Sequence, residues 1–304
     1  INNSYGNVTE CDEMGTYDLL SRALDRQAFQ MPSLQHVFAA GNSGDSSCAP
    51  YLSGFSNILA GYQTAKNIIS VGGTNALGVR TPNSSRGPVR DGRIKPELVA
   101  LGQSVMSTVP VNNYGTSNGT SMAAPAVSGG LALLYQRYRQ LHGVNPENAL
   151  MKALLCNGAT DLGNAGPDFS YGFGQLNLLR SVKMLEQNNY ISGTVNNGAT
   201  NIHSITVGSS IAALKVMLYW NDSAAAPFAS SALVNDLDLT VTDASMVTHF
   251  PQLLNTTPSG VNNVATTGPD HINNIEQVII TNPVPGTYNI SVAGTAIPFN
   301  GQHA

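Results

Sequence analysis

Gly119-Thr120-Ser121-Met122-Ala123-Ala124-Pro125 opens a run of small residues that continues through Ala126, Ser128, Gly129 and Gly130. The run reads as the first turns of a helix reaching Gln140. A helix with so little side-chain bulk on its first turns sits very close to a sheet or another helix, because glycine and alanine let backbones approach. Upstream, a helical pattern over Tyr17–Phe29, with Leu20, Leu24 and Ala28 on one face, alternates with strand-like runs at His36–Ala40, Ile68–Gly72 and Ser104–Val109. Strands that alternate with helices predict an α/β domain: a parallel sheet covered on both faces. Downstream, Asn145 as cap, Pro146 in the first position and Gly158 after the last turn predict a second helix. A third covers Leu178–Gln187.

From Asn188 the helical period disappears. Strand-like runs at Ser204–Val207, Leu214–Tyr219, Leu237–Val241, Val278–Thr281 and Tyr288–Val292 are separated by Gly, Asn and Pro turns. They predict an all-β domain, a sandwich or barrel. Residues 1–189 and 190–304 are therefore expected as two domains. The chain of 304 residues is 42% hydrophobic and 11% charged with a net charge of −4, which argues against disorder and against nucleic acid as a partner. No apolar run approaches the length of a membrane span. Three cysteines exclude a disulfide scaffold and a Cys-only zinc site. Low charge with abundant Gly, Asn, Ser and Thr suits a secreted or cell-envelope protein.

A serine at a helix start stands beside unpaired backbone N–H groups and the positive end of the helix dipole. Acyl transfer uses both, as nucleophile site and as oxyanion donors. A plain N-cap serine has the same local sequence. The seven-residue string resembles the nucleophile motif of the subtilisin-like serine proteases, the subtilases, and the resemblance implies Ser121 as nucleophile. Ala39-Ala40-Gly41-Asn42-Ser43-Gly44 is similar to that family's oxyanion-hole segment and implies Asn42 as the side-chain donor, although Asn-Ser-Gly is also ordinary turn chemistry. Ser4-Tyr5-Gly6 and Ala39-Ala40-Gly41 resemble the two segments that bind substrate and line its P1 pocket, a role compatible with simple strand packing. Ser84-Ser85-Arg86-Gly87-Pro88, Gly92-Arg93-Ile94-Lys95-Pro96-Glu97 and Tyr171-Gly172-Phe173-Gly174-Gln175-Leu176-Asn177 extend the resemblance to about Gln187.

Such an enzyme needs a histidine base and an aspartate to orient it. None of the six histidines stands in the family's His-Gly-Thr context, and no aspartate stands in its Asp-Thr-Gly or Asp-Ser-Gly context. In the family both precede the strand corresponding to Ile1–Ser4. The resemblance thus implies an N-terminally incomplete catalytic domain, inactive alone, whose partners are polypeptide substrates and the upstream part of the same precursor. No cofactor is expected for the chemistry. Leu233–Leu239, Asn273–Val278 and Pro285–Tyr288 resemble the jelly-roll domain that follows some large subtilases, with its last strand absent or shortened. Asp236 and Asp238 share one strand face; they form either a solvated face or, with Asp270, a structural calcium site. Cys11 and Cys48 leave one end of neighbouring strands and are expected to pair, leaving Cys156 as a buried thiol. The alternative to a serine endopeptidase is a non-catalytic peptide- or polymer-binding protein on the same scaffold.

Overall fold

The computed structural model describes residues 1–7, 10–298 and 301–304. Four parallel strands, β1 (Asn2–Asn3), β2 (Val37–Ala39), β3 (Ile69–Thr74) and the later β4 (Leu98–Leu101), lie side by side in chain order. Between β1 and β2 runs α1 (Leu19–Gln30), started by Asp18, whose carboxylate accepts from Leu20 N and Ser21 N. Alternation along β2 decides what each face meets. Val37 and Ala39 join the core beneath the long helix, whereas Phe38 packs with Leu24 of α1, Ala65 and Ile68. The sheet is covered on both sides, as expected.

Two expectations fail. Ser104–Val109 does not extend the parallel sheet. Its residues form β5 (Val105–Val109), which turns back on β6 (Asn113–Ser117) as an antiparallel hairpin whose apolar side chains, Met106 and Tyr114 among them, face solvent. The fourth parallel strand is β4, a short apolar run directly after Pro96-Glu97 that offers too little sequence for a period to show. The long helix, α2 (Thr120–His142), is followed by α3, which spans Asn148–Gly158 and begins two residues later than the Asn145-Pro146 signal. Tertiary bonds override the local cap. Asn148 donates from its backbone to Pro32 O and from its side chain to Ala28 O and Leu34 O, while Asn145 Oδ1 accepts from Arg139 Nε. Gly158 is the last residue of α3, not the one after it. A further helix, α4 (Leu178–Glu186), packs against α2 and α3.

The remainder is β structure: β7 (Thr194–Val195), β8 (Thr200–Val207), β9 (Ala213–Tyr219), β10 (Asp236–Thr242), β11 (Thr248–His249), β12 (Gln252–Leu253), β13 (Thr266–Thr267), β14 (Ile275–Thr281), β15 (Gly286–Ala296) and β16 (Gln302–His303). β15 pairs antiparallel with β8 on one edge and β10 on the other, and β14 pairs antiparallel with β9. The two sheets share a core of Val207, Leu218, Trp220, Leu237, Leu239, Val241, Val278, Ile280 and Tyr288. Cys11 and Cys48 form a disulfide with Cα atoms 5.1 Å apart, and Cys156 is a buried free thiol that burial pushes up to about 12.

Buried charge ties these layers together. Glu97, at the end of the segment entering β4, accepts from Lys95 at 2.5 Å and Lys152 of α3 at 2.7 Å, and also from Ser70 N. Burial alone would raise its carboxyl, but the two ammonium groups outweigh burial and hold it below the ordinary value. Lys66 bridges the seam to the β strands, donating to Asp222 at 2.5 Å and to the carbonyls of Ser223 and Ala232. Removing one member of such a group leaves a buried charge without its counter-charge. Glu97→Gln is expected to lower unfolding free energy by about 3–5 kcal/mol in urea titrations at neutral pH. A depressed carboxyl stabilises above its unfolded pKa and loses that contribution as pH falls through the folded value. The difference between wild type and Glu97→Gln should therefore shrink below pH 4.5; a pH-independent difference would contradict the assignment.

Candidate active site

Ser121 lies in the first turn of α2, half-buried, at the C-terminal ends of the parallel strands. Gly119 precedes the helix at φ +132°, a left-handed value that favours glycine. A Cβ there would lie 3.2 Å from Asn42 Oδ1 and 3.3 Å from Asn42 Nδ2. Gly102 allows a second close approach: its Cβ would come within 2.8 Å of Gly119 O. The turn into α2 is thus pressed between the end of β4 and the Asn42 side chain.

The amide of Asn42 is oriented by its neighbours. Thr120 N–H, which can only donate, points at Asn42 Oδ1 at 3.0 Å, and Thr120 Oγ1 adds a second donor at 3.2 Å. The oxygen is therefore consumed, and the Nδ2–H donors are left facing the exposed side. Neither these nor Ser121 N–H has a protein partner among the described residues. Two donors near the start of α2 are thus left without a protein partner among the described residues.

Pro125 explains a further contact. It has no N–H to give to the carbonyl four residues back, that of Ser121. Ser4 Oγ fills the vacancy, donating to Ser121 O at 2.9 Å. The segment Ser4-Tyr5-Gly6 is held to the helix start in this way, and to Ala39-Ala40-Gly41 by a residue the sequence did not advertise. Gln63 Nε2 donates to Tyr5 O at 2.9 Å and to Ala39 O at 3.1 Å. Thr120 Oγ1 completes the frame by accepting from Gly41 N. Tyr5 is 57% exposed and packs edge-on against Phe38 and Tyr62.

Among the described residues, no histidine is bonded to this group. His36 is held by Asn3 and Gln27, and burial pushes its pKa down. His142 bonds Tyr190, His249 pairs with Asp243, His271 with Asp236 and His303 with Glu147, while His203 lies in β8.

The profile of the Subtilase family matches residues 1–174. The chain belongs to the subtilase family. Among curated relatives, the subtilase chain is 26% identical to the serine protease/ABC transporter B family protein tagA of Dictyostelium discoideum over 257 residues, 72% of this chain and 15% of that protein. It is 36% identical to subtilisin DY of Bacillus licheniformis over 142 residues, 47% of this chain and 44% of that protein. It thus spans less than half the length of either. A solved structure of the self-cleaved protease domain of PatA is 23% identical, with a TM-score of 0.47 over 60% of each chain.

Two members of the second expected cluster meet. Asp236 and Asp238 lie together, with ligand-type atoms within 4.8 Å of each other and of His271. Asp270, expected as the third member, spends its carboxylate on its own loop: Oδ1 accepts from Ile272 N and Asn273 N, Oδ2 from Asn273 Nδ2. The next residue, His271, contacts the pair, with Nδ1 2.8 Å from Asp236 Oδ2.

Ser4→Ala removes the donor that replaces the missing proline N–H. The variant is expected to lose about 0.5–1.5 kcal/mol of stability in chemical denaturation. An unchanged midpoint would show that water serves Ser121 O equally well.

Proposed function

We propose that the chain is the nucleophile-bearing part of a serine endopeptidase, with Ser121 as nucleophile and Asn42 as oxyanion donor. The observation that supports it most is the orientation of Asn42: its oxygen is tied to Thr120 N–H, so only N–H donors face the place where a tetrahedral oxyanion would form. Ser121 Oγ attacks the scissile carbonyl, its proton passing to a histidine base oriented by an aspartate. Both are assigned to polypeptide upstream of Ile1, because each histidine here is placed elsewhere. The carbonyl oxygen gains negative charge and is held by Asn42 Nδ2–H and Ser121 N–H at the positive end of α2. The base then returns its proton to the leaving amine.

Substrate is an extended polypeptide laid along Ser4-Tyr5-Gly6 and Ala39-Ala40-Gly41, adding as a strand to exposed backbone. In this reading residues 1–189 form the catalytic part and residues 190–304 a jelly-roll accessory domain. Their antiparallel sheets around one core suit that architecture. The Cys11–Cys48 disulfide favours a secreted or cell-envelope setting.

The test is co-expression with the upstream segment. Peptide hydrolysis should appear only with that segment and vanish in Ser121→Ala. Asn42→Ala in the complemented protein should lower kcat about 10²–10³-fold with KM nearly unchanged, since the oxyanion exists only in the transition state. A loss confined to KM would make Asn42 a substrate contact. Robust hydrolysis by the chain alone would mean another base. Peptide binding without turnover in the complemented protein would favour a binding role.

A further inference from the structure

Gly6 and Gly41, one in each segment assigned to substrate, share a neighbour. Gly41 has φ +123°, a value that favours glycine; Gly6 adopts no such value, so crowding is what excludes a side chain there. A Cβ on Gly6 would lie 2.9 Å from Leu59 Cδ1. A Cβ on Gly41 would lie 2.7 Å from Leu59 Cγ and 3.3 Å from the same Cδ1. One isobutyl group therefore touches both backbones and fills the gap that the two glycines leave. Leu59 is half-buried, and its backbone N–H donates to Ala40 O at 3.3 Å, which holds its segment beside the second glycine.

Gln63 is the other group against Gly6, where a Cβ would lie 2.5 Å from Nε2. The residue is buried, and both hydrogens of Nε2 are committed, to Tyr5 O and Ala39 O. That amide fixes the spacing of the two segments. They cannot spread to admit a bulky group without breaking one of its bonds. Its Oε1 is buried with no partner among the described residues, so a large apolar group driven past Leu59 would meet a polar atom there.

We infer that Leu59 sets the residue accepted at P1, and that the peptide bonds cleaved follow a small residue: alanine, glycine or serine. The inference rests on the protease reading and adds a substrate class to it. A methyl or hydroxymethyl group stops short of the isobutyl group. A leucine or phenylalanine side chain has to displace it, at the cost that overfilling a packed space carries. Leu59 is a specificity residue and takes no part in the chemistry.

The experiment reads binding apart from turnover. The protein completed with its upstream segment and carrying Ser121→Ala is titrated with fluorescent peptides that differ only at P1, by anisotropy. The same peptides are assayed for hydrolysis by the protein that keeps Ser121. The P1 alanine peptide should bind about tenfold or more tighter than the P1 phenylalanine peptide, with kcat/KM favouring it by a similar factor. Leu59→Ala should bring the phenylalanine peptide level with alanine or ahead of it, and the milder Leu59→Val should move the ratio part of the way. Thermal melting checks that each variant is folded, and the wild-type ranking decides even if one is not. Phenylalanine bound as tightly as alanine by wild type would overturn the inference, as would a folded Leu59→Ala with the wild-type ranking. Hydrolysis without discrimination at P1 would overturn it and leave the protease reading standing. Tighter binding of the small-residue peptides without any hydrolysis would uphold it and count against that reading. No binding by any peptide would overturn both.

Discussion

The hydrogen bond from Thr120 N–H to Asn42 Oδ1 is the contact on which the site depends. It forms only because the Gly119 turn has no side chain to hold the Asn42 amide away, and because Gly102 lets that turn settle onto the end of β4. Ala123, Ala124 and Val127 then press α2 against the sheet, so the start of the helix has no freedom to drift. One short contact thereby ties the Asn42 amide oxygen to the residue before Ser121.

The frame around that contact is held by charge as well as by apolar packing. Glu97 binds the entry to β4 to α3, and Lys66 binds the loop before β3 to the β strands beyond Trp220. Such buried groups stabilise only as complete sets, which makes them strict about arrangement. Asn67 shows the same economy, exchanging bonds with Asp25, Asp222 and Asn274. The C-terminal β structure is therefore joined to the α/β part by specific polar contacts and by shared core residues such as Tyr219 and Ile275.

Much of this was legible in the chain. Alternating strand and helix patterns announced the parallel sheet, and the small-residue run announced the closeness of α2. The motif around Ser121 and the segment around Asn42 pointed to each other through family resemblance, not through periodicity. Three kinds of feature were not legible. β4 is too short to display a period. The start of α3 is decided by Asn148 bonding residues more than a hundred positions away, which no local cap signal encodes. Gln63, which ties Ser4-Tyr5-Gly6 to Ala39-Ala40-Gly41, sits in a single short helical turn, Gly61–Thr64, too brief to show a period. For the acidic cluster the alternation along β10 placed Asp236 and Asp238 together, as the structure has them. Asp270 and His271 are adjacent, and only the turn made by Asp270 decides which of them reaches Asp236.

The central claim is that Asn42 and the Ser121 backbone present two oriented donors to an oxyanion formed on Ser121. A crystal structure of the protein, completed with its upstream segment and reacted with a peptidyl boronic acid, tests it most directly. The account predicts boron bonded to Ser121 Oγ, with one boronate oxygen about 2.7–3.1 Å from both Asn42 Nδ2 and Ser121 N. An adduct on another side chain, or a boronate oxygen beyond hydrogen-bond reach of Asn42, would contradict it.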